Sequence, residues 1–379
     1  MVYRLTGSAT DLGAATAVNY VPWALFGLLG GALIDRVDRK RALVVTDLAR
    51  GLVISVIPVL SAAHALHLGW IYGVMFVQAC FQVVFSAGEF TAVPALADEG
   101  SLVRANGIIS ASYSGAMVAG TALAGLMFAV APIADALWVD GASFFASAAS
   151  LGAIRRSFNT KPPPGLRGVS LRSTVADLVA DTKAGIRYVW QHALLRNLSL
   201  QLVVVNLFGS AATSQEALFA IRRLGADNSQ VGYLMAASSV GVVVLSLVVG
   251  PLGSRVPLGT MVLIALIVYG GGYAVLGFVT SYAAALGLWA VIGGATVLYN
   301  VSTTSLRQRL VPNELLGRVS NVAITFAWCV IPVGALAGGA IISATGRVDI
   351  VYVAVGVTIA VTALVFNPSV VRDAHRLGK

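Results

Sequence analysis

Three carboxylates of this chain stand where carboxylates are costly. Of 16 acidic residues in 379, Glu89, Asp140 and Glu216 lie inside long apolar stretches. A carboxylate withdrawn from water is pushed toward its neutral, protonated form, so an acid in such a place can take up a proton and give it back. The plain structural alternatives are that Glu216 pairs with Arg223, seven residues on, and that Glu89 reaches an aqueous face. Amides and hydroxyls accompany the acids: Gln78 and Gln82, which share one helical face at a spacing of four, then Asn206 and Gln215, then Tyr299, Asn300 and Thr303. Such groups orient a small molecule by hydrogen bonds and do not cleave it. The four histidines, at 64, 67, 192 and 375, are scattered, and no HExxH, GxSxG or GxxxxGK[ST] pattern occurs. The chemistry on offer is proton exchange and reversible binding. No enzyme, metal site or cofactor is expected, and ATP-driven work by this chain alone has no support. Cys80 and Cys329 sit in apolar runs without ligand spacing and read as packing residues.

The elements that must position these groups follow from composition. Hydrophobic residues make up 58% of the chain, charged residues 11%, and mean hydropathy is +0.85. A soluble domain carries ~25% charge, so an all-α integral membrane protein is expected. Seven stretches hold no Asp, Glu, Lys or Arg: 12–34, 105–131, 230–253, 257–280, 282–306, 319–346 and 350–366. Four more hold one or two charges: 42–63, 69–97, 134–154 and 197–221. Together they give eleven candidate transmembrane helices, each too long and too uniformly apolar for a barrel strand of ~10 alternating residues.

Orientation follows from the basic residues. Of 25 Lys and Arg, 21 fall on one set of loops and adjoining helix ends; the opposite set holds only Arg4, Arg222, Arg223 and Arg347. Basic residues collect on the cytoplasmic side, so the net charge of +9 reads as topology rather than nucleic-acid binding. The C-terminus is then cytoplasmic. Eleven spans would leave the N-terminus outside, which predicts a twelfth helix ahead of Met1, with Val2 to Gly7 as its outer end and turn.

The polar segment 155–196 divides the chain. It carries eight basic residues and two acids, and after Pro162-Pro163-Pro164-Gly165 the residues Leu171, Val175, Leu178, Thr182, Ile186 and Val189 recur at helical spacing. An amphipathic helix on the cytoplasmic face fits this pattern; a solvated basic linker fits it equally. The expected organisation is an N-terminal bundle over 1–154, a linker over 155–196 and a C-terminal bundle over 197–379. The halves echo each other. Gly31 to Val37 reappears as Gly250 to Val256, and Leu102-Val-Arg104 as Leu316-Gly-Arg318, at offsets of 219 and 214. At the second offset Gly120 and Gly125 fall on Gly334 and Gly339. Weak internal symmetry of this kind marks transporters built from two related bundles.

The segment Gly31-Ala-Leu33-Ile-Asp35-Arg36-Val-Asp38-Arg39-Lys40-Arg41 closely resembles the loop 2–3 signature G-x-L-x-D-R-x-G-R-K of the major facilitator superfamily, with Asp38 where glycine is usual. The resemblance implies two pseudo-symmetric helix bundles, twelve helices of which eleven are visible here, and a first visible span that corresponds to helix 2. It implies that Gly31, Asp35, Arg36, Arg39 and Lys40 form a gating loop whose partner is the start of helix 11, here Arg318. Ala116-xxx-Gly120-Thr121-xx-Ala124-Gly125 resembles a worn helix 5 motif of proton-coupled antiporters; small residues at this spacing also make ordinary packing seams. Val93-Pro-Ala-Leu96 and Ser305 to Pro312 resemble the bacterial branch that includes enterobactin exporters and drug efflux proteins. Since helices 1, 4, 7 and 10 line the cavity in the superfamily, Glu89 and Glu216 are favoured over Asp140 as proton carriers.

The expected function is a secondary-active exporter of a small amphiphilic compound, drug or siderophore-like, exchanged for protons. An importer on the same fold is the alternative, with a membrane sensor or enzyme a more distant one. The partners are a small molecule, protons and the lipid bilayer, without nucleic acid. A monomer in the cytoplasmic membrane is expected. Single cysteines placed at 36, 255 and 309 should be labelled only from the cytoplasmic side, and those at 64 and 347 only from outside. The DNA upstream of the Met1 codon should carry an in-frame apolar stretch of ~20 codons.

Overall fold

The computed structural model describes residues 1–34, 36–96, 133–159, 171–253 and 255–377, with isolated positions between 108 and 127. Its regular elements are helices: α1 Val2–Thr6, α2 Ala9–Ile34, α3 Arg39–Ala62, α4 Leu68–Leu96, α5 Ile133–Ala153, α6 Leu171–Gln191, α7 Ala193–Thr213, α8 Glu216–Leu224, α9 Asn228–Gly253, α10 Leu258–Leu276, α11 Tyr282–Leu310, α12 Asn313–Cys329, α13 Ile331–Thr345 and α14 Val348–Leu377. An apolar segment that crosses lipid must satisfy its own N–H and C=O groups, and the helix does so within the segment. Among the described residues, eight stretches are long and apolar enough to span: 39–62, 68–89, 193–213, 229–249, 258–276, 282–310, 322–345 and 348–366.

Two apolar runs that read as single spans are interrupted. The run 319–346 divides between α12 and α13, and Pro332 explains the break: it sits in the first turn of α13, where its missing N–H is harmless, but within a continuous helix it would collide with the preceding turn. The run 197–221 divides between α7 and α8 at Ser214-Gln215, where Gln215 N–H donates to Ala212 O at 3.0 Å and tightens the turn. Glu216 therefore opens α8 rather than ending α7, and its carboxylate suits the positive end of the new helix. Gly225 and Gly346 close α8 and α13 with φ of 66° and 69°, a left-handed backbone that a Cβ resists. The amphipathic helix read from 171 onward is present as α6.

The chain forms two compact units. One comprises 1–7, 18–116 and 130–180; the other comprises 8–17, 117–129 and 181–379. In the first, α3 packs against both α4 and α5. Leu43, Ala92 and Phe158 form a buried cluster there, flanked by Phe85, Leu96 and Leu151. In the second, α10 lies between α14 and α11, α9 packs on α11, and α13 and α14 both pack on α7. Val189 of α6 joins Leu195, Val311 and Val319 in a further buried cluster.

Close backbone approach holds the second unit together. A Cβ at Gly241 of α9 would collide with Ala290 O of α11, and one at Gly334 of α13 with Leu207 O of α7. Lipid gives helices no hydrophobic reason to associate, so this intimacy supplies the attraction. Gly241→Ala should lower the thermal midpoint of the purified protein, a loss of about 1–3 kcal/mol from overpacking. Gly287→Ala, beside open space, should change stability by less than about 0.5 kcal/mol.

Candidate functional site

The loop 36–41 is built from the first unit. Asp38 N-caps α3: with φ −64° and ψ 112° it accepts a hydrogen bond from Arg41 N–H, 2.8 Å from its Oδ1. No left-handed backbone is needed at this position, which explains how aspartate replaces the usual glycine, and its oxygen satisfies an otherwise orphan donor. Arg39 N–H donates to Asn159 Oδ1 at 3.0 Å, and Arg39 Nη1 to Phe158 O at 3.4 Å. Lys40 Nζ donates to Gly152 O at 2.9 Å and Ile154 O at 2.7 Å, a cation on the negative end of α5. The structure thus gives Arg39 and Lys40 partners within their own unit. Arg36 is half-buried in the turn and Gly31 lies in the last turns of α2. Asp35 and Gly125 lie outside the described residues, as does the side chain of Arg318 in α12. Gly120 faces open space.

Halfway along α3 sits a charged cluster. Asp47 is 1% exposed. Arg50 Nη1 lies 3.7 Å from Asp47 Oδ1, and its Cζ stands 4.2 Å from the centroid of Phe144 on α5. Gln78 of α4 completes the arrangement: its Nε2 donates to Arg50 O at 2.8 Å, and its Oε1 accepts from Arg50 Nε at 3.3 Å. Asp140 of α5 is within electrostatic reach of the guanidinium. Gln78 therefore fastens α4 to α3. Gln82, one turn on, donates instead to Ser86 Oγ of its own helix at 2.9 Å. Glu89 is exposed on α4. Asp47 and Arg50 sit nine and twelve residues into a 24-residue helix, where an unpaired ion would be costly and a mutual pair is tolerable.

In the second unit Glu216 is half-buried beside aromatic rings. The indole of Trp289 is within hydrogen-bonding reach of its carboxylate. Tyr269, Tyr273 and Tyr352 lie within its electrostatic range. Phe219, one turn along α8, packs 4.4 Å from Tyr352 and 5.4 Å from Trp289 between ring centroids. The expected alternative pairing with Arg223 is not formed: Arg223 donates to Gly277 O at 3.2 Å and Val279 O at 3.3 Å, closing the end of α10. The neighbouring Gln215 is buried and donates to Ala9 O at 3.0 Å, while its Oε1 has no partner among the described residues. Asn206 Nδ2 turns back to Leu202 O of its own helix at 2.8 Å.

On α11, Tyr299 and Thr303 lie on the buried face and Asn300 on the exposed one. Thr303 Oγ1 is occupied by Tyr299 O at 2.8 Å and Asn300 O at 3.2 Å. Sequence reasoning missed Arg307. It read as a loop residue, yet it belongs to α11, two turns beyond Tyr299 on the same face, and is only 7% exposed. The spacing 299, 303, 307 was the signal available.

These long apolar helices are those of a polytopic membrane protein. Residues 5–376 match the family model of transmembrane secretion effectors, and the chain belongs to that family, within the major facilitator superfamily. It is 24% identical over 356 residues to the multidrug efflux pump Tap of Mycolicibacterium fortuitum, covering 91% of this chain and 84% of the pump. It is 21% identical over 334 residues to macrolide efflux protein A of Streptococcus pyogenes, covering 87% and 80%. Among solved structures, a bacterial homologue of the human lysosomal transporter Spinster, inward-facing and occupied, superposes with a TM-score of 0.70 at 17% identity, covering 98% of this chain and 90% of that one. The nucleoside transporter NupG superposes with a TM-score of 0.69 at 12% identity, covering 96% and 91%.

Arg50→Gln should strand Asp47 in the interior and cost about 3–5 kcal/mol. The double change Arg50→Gln with Asp47→Asn should recover most of that loss. Thermal unfolding in detergent, followed by tryptophan fluorescence, reads both.

Proposed function

We propose that the protein is a proton-driven exporter of small amphiphilic compounds that works by alternating access. The observation that carries this reading is Glu216, a carboxylate with no basic partner among the described residues, set among Trp289, Phe219 and three tyrosines, in a chain whose relatives include efflux pumps. Withdrawal from water favours the protonated acid; opening toward water releases the proton. Coupling requires that difference between two states. Glu89 is the second candidate, and its exposure makes it the weaker one. The amphiphilic substrate class follows the efflux relatives and the mixture of aromatic and amide groups on the interior faces.

The same reading takes Asp35 and Arg318 as the two sides of a cytoplasmic gate, with Gly31, Arg36, Arg39 and Lys40 shaping its loop. It keeps the bundles over 1–154 and 197–379, joined by 155–196, in a monomer of the cytoplasmic membrane with its C-terminus inside. The charge distribution supports the orientation.

Everted membrane vesicles test it. An imposed pH gradient, acid inside, should drive accumulation of ethidium or of a macrolide, and nigericin should abolish it. Glu216→Gln, which keeps the shape and removes the titration, should reduce accumulation to that of vesicles without the protein, while Asp140→Asn should leave most of it. Accumulation indifferent to the gradient sinks proton coupling. Substrate entry into intact cells that rises with expression of the protein reverses the direction.

A further inference from the structure

The C-terminal half of α11 carries a row of polar atoms that no described residue answers. Arg307 Nε and Nη2, Tyr299 Oη and Ser302 Oγ are buried and without a hydrogen-bond partner among the described residues. Ser302 is fully buried, Tyr299 5% exposed and Arg307 7% exposed. The three residues share the face of α11 that also buries Leu298, Thr303 and Leu306. The Tyr299 phenol is within electrostatic reach of the guanidinium.

The neighbouring helix repeats the pattern. α7 touches α11, and Gln201 of α7 is fully buried with both Oε1 and Nε2 unpartnered. Successive spans alternate in direction, so the start of α7 and the end of α11 lie on one side. Gln201 stands eight residues from the first and Ser302 eight residues from the second, which places both about 12 Å along their helices at 1.5 Å per residue.

An orphaned buried donor or acceptor costs about 1–3 kcal/mol, and more when it is charged. Other buried polar groups of this protein show what an answered group looks like: Arg50 has Asp47 and Gln78, and Thr303 has two carbonyls. Among the described residues the guanidinium has neither carboxylate nor carbonyl, and Tyr299 and Ser302 of the same helix keep free hydroxyls: a donor set that lacks its acceptor. Arginine offers a planar fork that fits carboxylate or phosphate oxygens two at a time. Gln201 adds an amide donor at the same depth.

We propose that this face of the C-terminal unit binds the oxyanion group of an amphiphile, with Arg307 pairing the charge and Tyr299 and Ser302 donating to the remaining oxygens. The oxyanion belongs either to a free solute or to a lipid headgroup; the coordination is the same. The inference stands apart from the export reading, since it concerns binding and not direction or coupling.

The test uses the full-length protein in nanodiscs, with thermal unfolding as readout. Octanoate is the probe and octanamide its uncharged counterpart. In phosphatidylcholine discs, octanoate should raise the midpoint and octanamide should not. Arg307→Gln should weaken the apparent octanoate affinity by at least ~tenfold, whereas exposed Arg347→Gln should leave it unchanged. Should Arg307→Gln fail to fold, Tyr299→Phe and Ser302→Ala, which keep the charge, should each weaken it. A higher midpoint in discs containing phosphatidylglycerol, lost in the Arg307 variant and with octanoate adding nothing further, supports the site with lipid as its occupant. Equal effects of octanoate and octanamide, no effect of either oxyanion source, or an octanoate shift that survives in all three variants overturns the proposal.

Discussion

A charge kept inside a lipid-spanning bundle is costly unless it is answered within a few ångströms, and much of this structure can be read as a set of answers. The chain avoids the problem where it can, sending most of its basic residues to helix ends and loops. Where a charge stays inside, the surroundings are built around it. Arg50 is held by Asp47, by the Gln78 amide and by the face of Phe144, so three helices of the first unit meet at one guanidinium. That arrangement joins electrostatics to packing: α3 is the helix on which α4 and α5 both lean, and the charge sits at its middle.

The second unit answers its charges differently. Glu216 is met by an indole and a ring of tyrosines rather than by a cation, and Arg223, seven residues on, is engaged at the end of α10. The carboxylate is thus left free to change its charge without breaking an ion pair. Arg307 has no answer of either kind among the described residues. Glu216 and Arg307, of opposite sign and in one unit, thus have no ionic partner among the described residues, whereas a charge already paired has less to offer any further group.

Glycine performs the complementary task. Gly241 and Gly334 let backbones approach to distances that no side chain permits. In the internal repeat Gly334 is the counterpart of Gly120, yet Gly120 faces open space. This pair therefore shares a place in the sequence pattern without sharing what it touches, because contact depends on the partner helix and not on the residue alone.

Much was legible in the sequence by itself. Apolar run lengths and the scarcity of charge dictate a helical membrane protein, the loop signature at 31–41 points to the superfamily, and the helical spacing after 171 foretells α6. These are local properties: each depends on residues a few positions apart, where periodicity and propensity act. Tertiary structure alone decided which polar residues matter. It brought Asp47 and Arg50 together as a buried pair, turned Gln78 into a tie between helices and Asn206 back on its own backbone, separated Glu216 from Arg223, and buried Arg307 without a hydrogen-bond partner among the described residues. Each of those outcomes depends on which helix lies opposite, and an apolar run carries almost no record of its neighbour, since leucine, valine and alanine pack acceptably against many partners. The burial and pairing of a charge are properties of the space between helices, and that space exists only once the chain has folded.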